Sequence, residues 1–427
     1  MPLADTCVRT AIVVLLVTAG CRPGETPRAM PAGMAGPAAP GIPAARAPAV
    51  RVGLIVDTAA ITLGSTRAFH LSSGAASPGQ PAAAGTTWTV RRADDGSLHA
   101  TTTTGRVLNG RTLTARSTDG APIVVAGRPY RGDVMVRPGS SGITVVNVLD
   151  IESYLMGVVA REIGRRPPSE IEAVKAQAVA ARTYAVGNMG GRENLGFDFF
   201  ASVQDQVYGG ILDEDSIASR ALRETRGQIV TYDGAPILAY YSSTCGGRTA
   251  AIEESWPWRA ALPYLQSVSD RIPGTERHYC DASNRFRWSV TWTRPQLLTT
   301  LGASLRAFTR STVALDRVQR VEIADRGTSG RVTVRVDDGN TDWTLRADSV
   351  RWVLRTPAGA GLNSSRIDHI AAHMGADGID SLTVAGGGWG HAIGMCQVGA
   401  MGRARAGQTY REILAAYYTG TVVGRAY

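Results

Sequence analysis

The chain has 427 residues, 44% of them hydrophobic and 19% charged, which excludes a polar disordered chain and leaves ample material for a core. Its formal charge of +9 favours acidic partners. The basic residues are scattered, without the dense run expected of a nucleic-acid tail, and Lys175 is the only lysine.

Residues 1–21, MPLADTCVRTAIVVLLVTAGC, place Arg9 before a short apolar run and end on small residues and Cys21. This reads as an export signal, too short to span a bilayer as a stable helix. The Val-Thr-Ala-Gly-Cys ending resembles a bacterial lipoprotein box, with Cys21 as the lipidation site, although Thr18 stands where leucine is usual. Residues 22–49 are rich in Pro, Ala and Gly and read as a disordered tether. No later segment is long and apolar enough to cross a membrane, so the expectation is an exported, periplasmic or cell-surface protein that meets the membrane through a lipid anchor only.

Residues 50–134 form a β-rich leading region. The runs VRVGLIV, AITLGS, TWTVRR, PIVVAG and DVMVRP, and GITVVNV just beyond, are separated by Gly, Pro, Asp and Ser. That pattern predicts an antiparallel sheet or small barrel, serving as scaffold or binding surface. The predicted fold class is therefore α+β, with β-rich antiparallel sheets around a pair of adjoining helices.

The first helix of that pair is capped by Asp150. Ile151, Leu155, Val158 and Val159 give its buried stripe, and Glu162 falls where the stripe asks for another apolar residue. Desolvation and the helix C-terminal dipole both raise the pKa of such a carboxyl, as a general acid requires. The alternative is a salt bridge to Arg165 or Arg166. Pro167 and Pro168 end the helix, and Ser169 with Glu172 predicts a capping box for the second helix. That helix is slim, through Ala173, Ala176 and Ala180, and carries Lys175, Gln177, Arg182 and Tyr184 beside its apolar face.

Several blocks then stand in a fixed order: GVVAREI, EAVKAQAVAARTYAV, DQVYGG at 205–210, AYYSSTCGGRTA at 239–250, GGGWGHAIGMCQVGAMGRARAG at 386–407 and YREILAAYYTGT at 410–421. Together they resemble the SpoIID/LytB family, the stage II sporulation protein D and amidase-enhancer group. The domain of that family would run over 135–427, with a β-rich insert near 290–385. The resemblance implies a peptidoglycan lytic transglycosylase acting on glycan strands that lack stem peptides, with Glu162 as the catalytic acid and base and no cofactor required. The alternative it implies is a non-catalytic glycan-binding protein that stimulates a cell-wall amidase. Asp205 is a spare carboxylate.

Around Glu162, the expected substrate-binding residues are Lys175, Gln177, Arg182, Tyr184, Ser243, Thr244, His391 and Gln397. The glycine-rich block lacks the strand–loop–helix context of a phosphate site and predicts a tight turn allowing close backbone approach to a sugar. Trp256, Trp258 and Trp389 are either sugar-stacking or core residues. Once Cys7 and Cys21 are set aside, Cys245, Cys280 and Cys396 remain. They read as a Cys245–Cys280 disulfide with Cys396 free, as a structural zinc site completed by His278 or His391, or as independent thiols. Family members often carry serine in place of Cys396, so catalysis does not require that thiol.

Overall fold

The β-branched runs form strands because alternate residues reach a common apolar layer. Ala49–Thr58, Asp133–Pro138 and Ile143–Asp150 lie in a seven-stranded sheet, with Ala49–Thr58 and Asp133–Pro138 each antiparallel to Ile143–Asp150. Ala60–Gly64 and Thr87–Arg92 pair in a second, six-stranded antiparallel sheet. Leu63, Phe69, Trp88 and Val145 are fully buried in the core of these sheets. This computed structural model describes residues 46–74 and 79–427. The segments expected to be an export signal ending at Cys21 and, up to residue 45, a tether lie outside the described residues.

Asp150 ends the last of these strands and starts helix α1, Ile151–Ile163, its carboxylate accepting the N–H groups of Glu152 and Ser153 at 3.1 Å. The second helix, α2, Ile171–Asn188, begins differently from the expected capping box. Pro168–Glu170 makes a 3-10 turn, and no side chain caps α2. Glu172 is engaged elsewhere, accepting from the Lys175 ammonium at 2.7 Å and the Tyr410 N–H at 2.8 Å. α2 is enclosed on nearly every face by α1, the helix α3 (Ser216–Glu224), the strand Gln228–Tyr232 and the helices Gln397–Arg405 and Tyr410–Tyr417. Alanines at 173, 176, 178, 180 and 181, all fully buried, let these neighbours close in.

Residues 288–384 build a second apolar cluster around Trp292, Leu301, Val334 and Leu382. It is formed by the strands Trp288–Thr293, Ile367–Gly375 and Gly378–Gly386, the helix Arg294–Thr309 and a separate three-stranded sheet over 320–346.

Enclosing α2 buries Arg182 completely. Its guanidinium forks onto Glu152 of α1 at 3.0 and 2.8 Å and donates to the Gln228 carbonyl at 3.1 Å. Glu152 also accepts from the Gly227 N–H and the Tyr427 hydroxyl. Removing one partner of such a pair strands a buried charge. Arg182→Met should therefore lower the unfolding free energy by about 3–5 kcal/mol, whereas the double change Arg182→Met with Glu152→Leu should recover much of that loss. Urea denaturation of the two variants checks this; equal destabilisation would contradict it.

Candidate functional site

Glu162 is the next-to-last residue of α1, half-buried, and its Oε1 accepts the Val207 N–H at 2.8 Å. No arginine pairs with it among the described residues. Arg166 instead approaches Glu170 at 3.8 Å and the Met401 sulfur at 3.1 Å. Burial raises the Glu162 carboxyl from 4.5 to about 6, against the lowering effects of the Val207 N–H and the charge of Arg161. The DQVYGG block supplies Val207, and the next residue, Tyr208, fits against α1 where Gly157 leaves room: a Cβ there would lie 2.6 Å from the Tyr208 ring.

Glu162 opens into a groove of 560 Å³ shared with Arg166, Ser243, Ser283, Arg285 and Gln397. Gln397, the first residue of the helix Gln397–Arg405, donates to the main-chain carbonyl of Glu162 at 3.0 Å and to Gln177 Oε1 at 3.2 Å. Thr244 is buried beside the groove, its hydroxyl 3.0 Å from that of Ser283. The Arg285 guanidinium lies 3.3 Å from the Trp389 ring centroid and has no acidic partner among the described residues. Two larger clefts, of 680 and 750 Å³, lie away from Glu162, one beside Asp150 and Arg223 and the other beside Arg51 and Arg137.

The structure separates the other expected binding residues from this groove. Lys175 is held by Glu172 and Glu224, both at 2.7 Å, and lies over the Tyr410 ring. Arg182 is locked in the Glu152 pair, and Gln177 is fully buried, acting through Gln397. Tyr184 lines a different cleft, of 210 Å³, with Asp205, Tyr240, Trp256 and His391. Asp205 is committed to Arg192 at 2.8 and 3.0 Å. His391 accepts the Ile393 N–H on Nδ1 at 3.0 Å, and burial holds its ring down to about 4, keeping it neutral. Trp256 packs edge-on to Tyr240, Trp258 is 72% exposed and Trp389 stacks under Arg285. The glycine-rich block makes tight backbone approaches: a Cβ on Gly388 would lie 2.7 Å from the Thr244 carbonyl oxygen.

Cys245, Cys280 and Cys396 are free and buried, and they converge. The Cys245 and Cys280 sulfurs are 3.6 Å apart, too far for a disulfide, whose bond is about 2.05 Å. Neither His278 nor His391 joins them; the fourth group is Asp270, fully buried, with Oδ2 3.8 Å from the Cys245 sulfur. Burial, and then the charge of Cys245, push Asp270 up to about 7. Asp270 escaped the sequence reading because it sits in an irregular loop, 25 residues from Cys245. Val207, Ser283 and Arg285 were missed for a similar reason: the first acts through its backbone, and the others reach the groove by tertiary contact.

Residues 139–232 match the family model described as stage II sporulation protein. Residues 272–394, which include the second apolar cluster, match a domain of unknown function. The chain is similar to an uncharacterized protein of Brachyspira hyodysenteriae, 32% identical over 296 residues that span 69% of this chain and 72% of that relative. It is 31% identical to the stage II sporulation protein D of Bacillus subtilis over 66% of this chain and 76% of the relative. The amidase enhancer of the same organism is 30% identical over 63% of this chain, and the match spans only 40% of that longer protein. The chain belongs to the SpoIID/LytB family.

Proposed function

We propose that the protein is a peptidoglycan-active lytic transglycosylase that cleaves glycan strands lacking stem peptides, with Glu162 as general acid and then general base. The observation that carries this reading is a half-buried carboxyl at a groove, without an arginine or lysine partner among the described residues and raised to about 6. Protonated Glu162 gives its proton to the glycosidic oxygen between N-acetylmuramic acid and N-acetylglucosamine, and positive charge develops at the muramic anomeric carbon. The muramic C6 hydroxyl attacks that carbon and passes its proton to the Glu162 carboxylate. One C–O bond breaks and one forms, no water is consumed, and a 1,6-anhydro sugar results.

One carboxyl serves both proton transfers, so the engagement of Asp205 by Arg192 does not obstruct the scheme. The Val207 N–H favours the carboxylate of the second step and orients the side chain, while Gln397 fixes the backbone that carries it. Stripped muramic acid exposes a lactyl carboxylate. Arg285, without an acidic partner of its own, suits that anion better than Lys175 or Arg182, whose charges are already met. The similarity to an amidase enhancer supports a second reading, a glycan-binding stimulator of a cell-wall amidase. Both readings include export with Cys21 as the lipid-bearing residue, which acyl labelling of whole cells, lost in Cys21→Ser, would test.

Mass spectrometry of products from stem-peptide-free glycan strands should reveal anhydro-ended fragments. Glu162→Gln should lower kcat by about 10²–10⁴-fold, as loss of a general acid does, and still bind strands. Arg285→Ala should raise KM about tenfold, the loss of roughly one charge-assisted hydrogen bond. Tight binding by wild type without any cleavage would favour the enhancer instead.

The raised carboxyl also fixes the pH behaviour. The first step needs the acid form, so kcat/KM should fall tenfold per pH unit above about 6. A carboxyl with a folded pKa above its unfolded one binds more protons when folded, so it erodes stability as pH rises from 4.5 through about 6. The full effect is on the order of 2 kcal/mol. Glu162→Gln should therefore melt higher than wild type above pH 6 and lose that advantage below pH 4.5. Melting curves that stay parallel across this range would contradict it.

A further inference from the structure

The Cys245, Asp270, Cys280 and Cys396 cluster has a geometry that packing alone does not call for. The four ligand atoms lie within 4.8 Å of one another, and each residue is buried. Around a tetrahedral zinc ion, Zn–S bonds of about 2.3 Å and a Zn–O bond of about 2.0 Å give S···S edges near 3.8 Å and S···O edges near 3.5 Å. The edges of 3.6 Å for Cys245–Cys280 and 3.8 Å for Cys245–Asp270 lie within about 0.3 Å of those lengths.

The surroundings are built for anionic ligands. The Cys396 sulfur accepts the N–H groups of Cys245 at 3.2 Å and Gly399 at 3.3 Å, the latter in the first turn of the helix it caps. Asp270 turns Oδ1 away from the sulfurs, to the Tyr417 hydroxyl at 2.7 Å and Arg403 at 3.5 Å, which leaves Oδ2 facing them. Such an outer partner orients a metal-bound carboxylate. Gly399 is required for this approach, since a Cβ there would lie 2.1 Å from the Tyr417 oxygen and 2.6 Å from Asp270 Oδ2. Three thiolates and a carboxylate leave a doubly negative site even around a divalent ion. Arg403 and Arg331, a buried guanidinium with no hydrogen-bond partner among the described residues, supply the counter-charge.

We propose that Cys245, Asp270, Cys280 and Cys396 hold one zinc ion in a closed structural site. The ion ties together the loop after Tyr241–Ser242, the loop carrying Asp270 and Cys280, and the start of the helix whose first residue is Gln397. Four protein ligands leave no open position for a reacting water, so the site shapes the groove and takes no part in bond cleavage. Gln397 follows Cys396 directly and holds the Glu162 carbonyl, so the metal anchors one wall of the groove. The proposal stands whether the groove cleaves glycan or only binds it.

The full chain, purified without chelator, is tested by metal analysis and by differential alkylation read through peptide mass spectrometry. The expected result is one zinc per chain, with Cys245, Cys280 and Cys396 alkylated only after chelation. Exchange for Co(II) should give the visible bands of a tetrahedral site and the near-ultraviolet charge transfer of three thiolates. Tyr417→Phe should weaken zinc binding about ten- to hundredfold, whereas His278→Ala should retain the ion. A Cys245–Cys280 disulfide in the purified protein, or reduced protein that takes up neither zinc nor cobalt, would overturn the proposal. The cobalt spectrum of the wild-type chain counts the thiolates even where a variant fails to fold.

Discussion

Most of this domain answers to the enclosure of α2. A helix walled in on nearly every face cannot leave its polar side chains to water, so each must find a partner inside the protein. Arg182 takes Glu152 of α1, the Thr183 hydroxyl accepts the Val230 N–H, and Gln177 meets Gln397. These contacts bring α1, the strand Gln228–Tyr232 and the helix Gln397–Arg405 into fixed register around α2. The alanines make this feasible, because larger residues would hold the neighbours too far apart for such short hydrogen bonds. The only polar side chain of α2 that reaches the groove does so indirectly, through Gln397.

That register determines what Glu162 can be. The end of a helix is where a carboxylate is least welcome, and the usual remedy is a basic neighbour. Here the nearby cations are diverted: Arg166 leans toward Glu170 and Met401, and Arg405 also pairs with Glu170 at 2.6 Å. Among the described residues the Glu162 carboxyl accepts one hydrogen bond, from the Val207 N–H, which positions it without neutralising it. The fold thus withholds the interaction that would have made this residue an ordinary salt bridge.

Local pattern in the sequence reached as far as local physics does. β-branched runs between Gly and Pro marked the leading sheets, the Asp150 cap and apolar spacing marked α1, and the break in that spacing marked Glu162. What failed was partner identity. Lys175 looked like a substrate cation because Glu224, 49 positions on, is invisible to helical periodicity. Arg182 reads as a substrate-binding residue because its partners, Glu152 and the Gln228 carbonyl, lie on other elements. The Ser169–Glu172 capping box had the right residues, but consecutive prolines imposed a 3-10 turn and Glu172 was drawn to Tyr410. His391 and Gln397 lie six residues apart in one block, yet a tight turn with Gly394 at φ 69° sends them to different clefts.

The thiol cluster shows the same limit from the other side. Three cysteines spread over 151 residues suggested a metal or a disulfide, and only convergence distinguishes them. A disulfide would satisfy two sulfurs and leave Asp270 Oδ2 buried beside them, with only Oδ1 partnered, by Tyr417 and Arg403. The proposed zinc ion would satisfy all four groups at once, with Tyr417 and Arg403 holding the other oxygen of Asp270 outward. The glycines of the GGGWGHAIGMCQVGAMG block then acquire a common reason. Gly388 lets the backbone close on Thr244 and Cys245, and Gly399 lets the helix close on Asp270 and Tyr417. In this fold the block is also the backbone framework that brings three thiols and a carboxyl together behind the groove of Glu162.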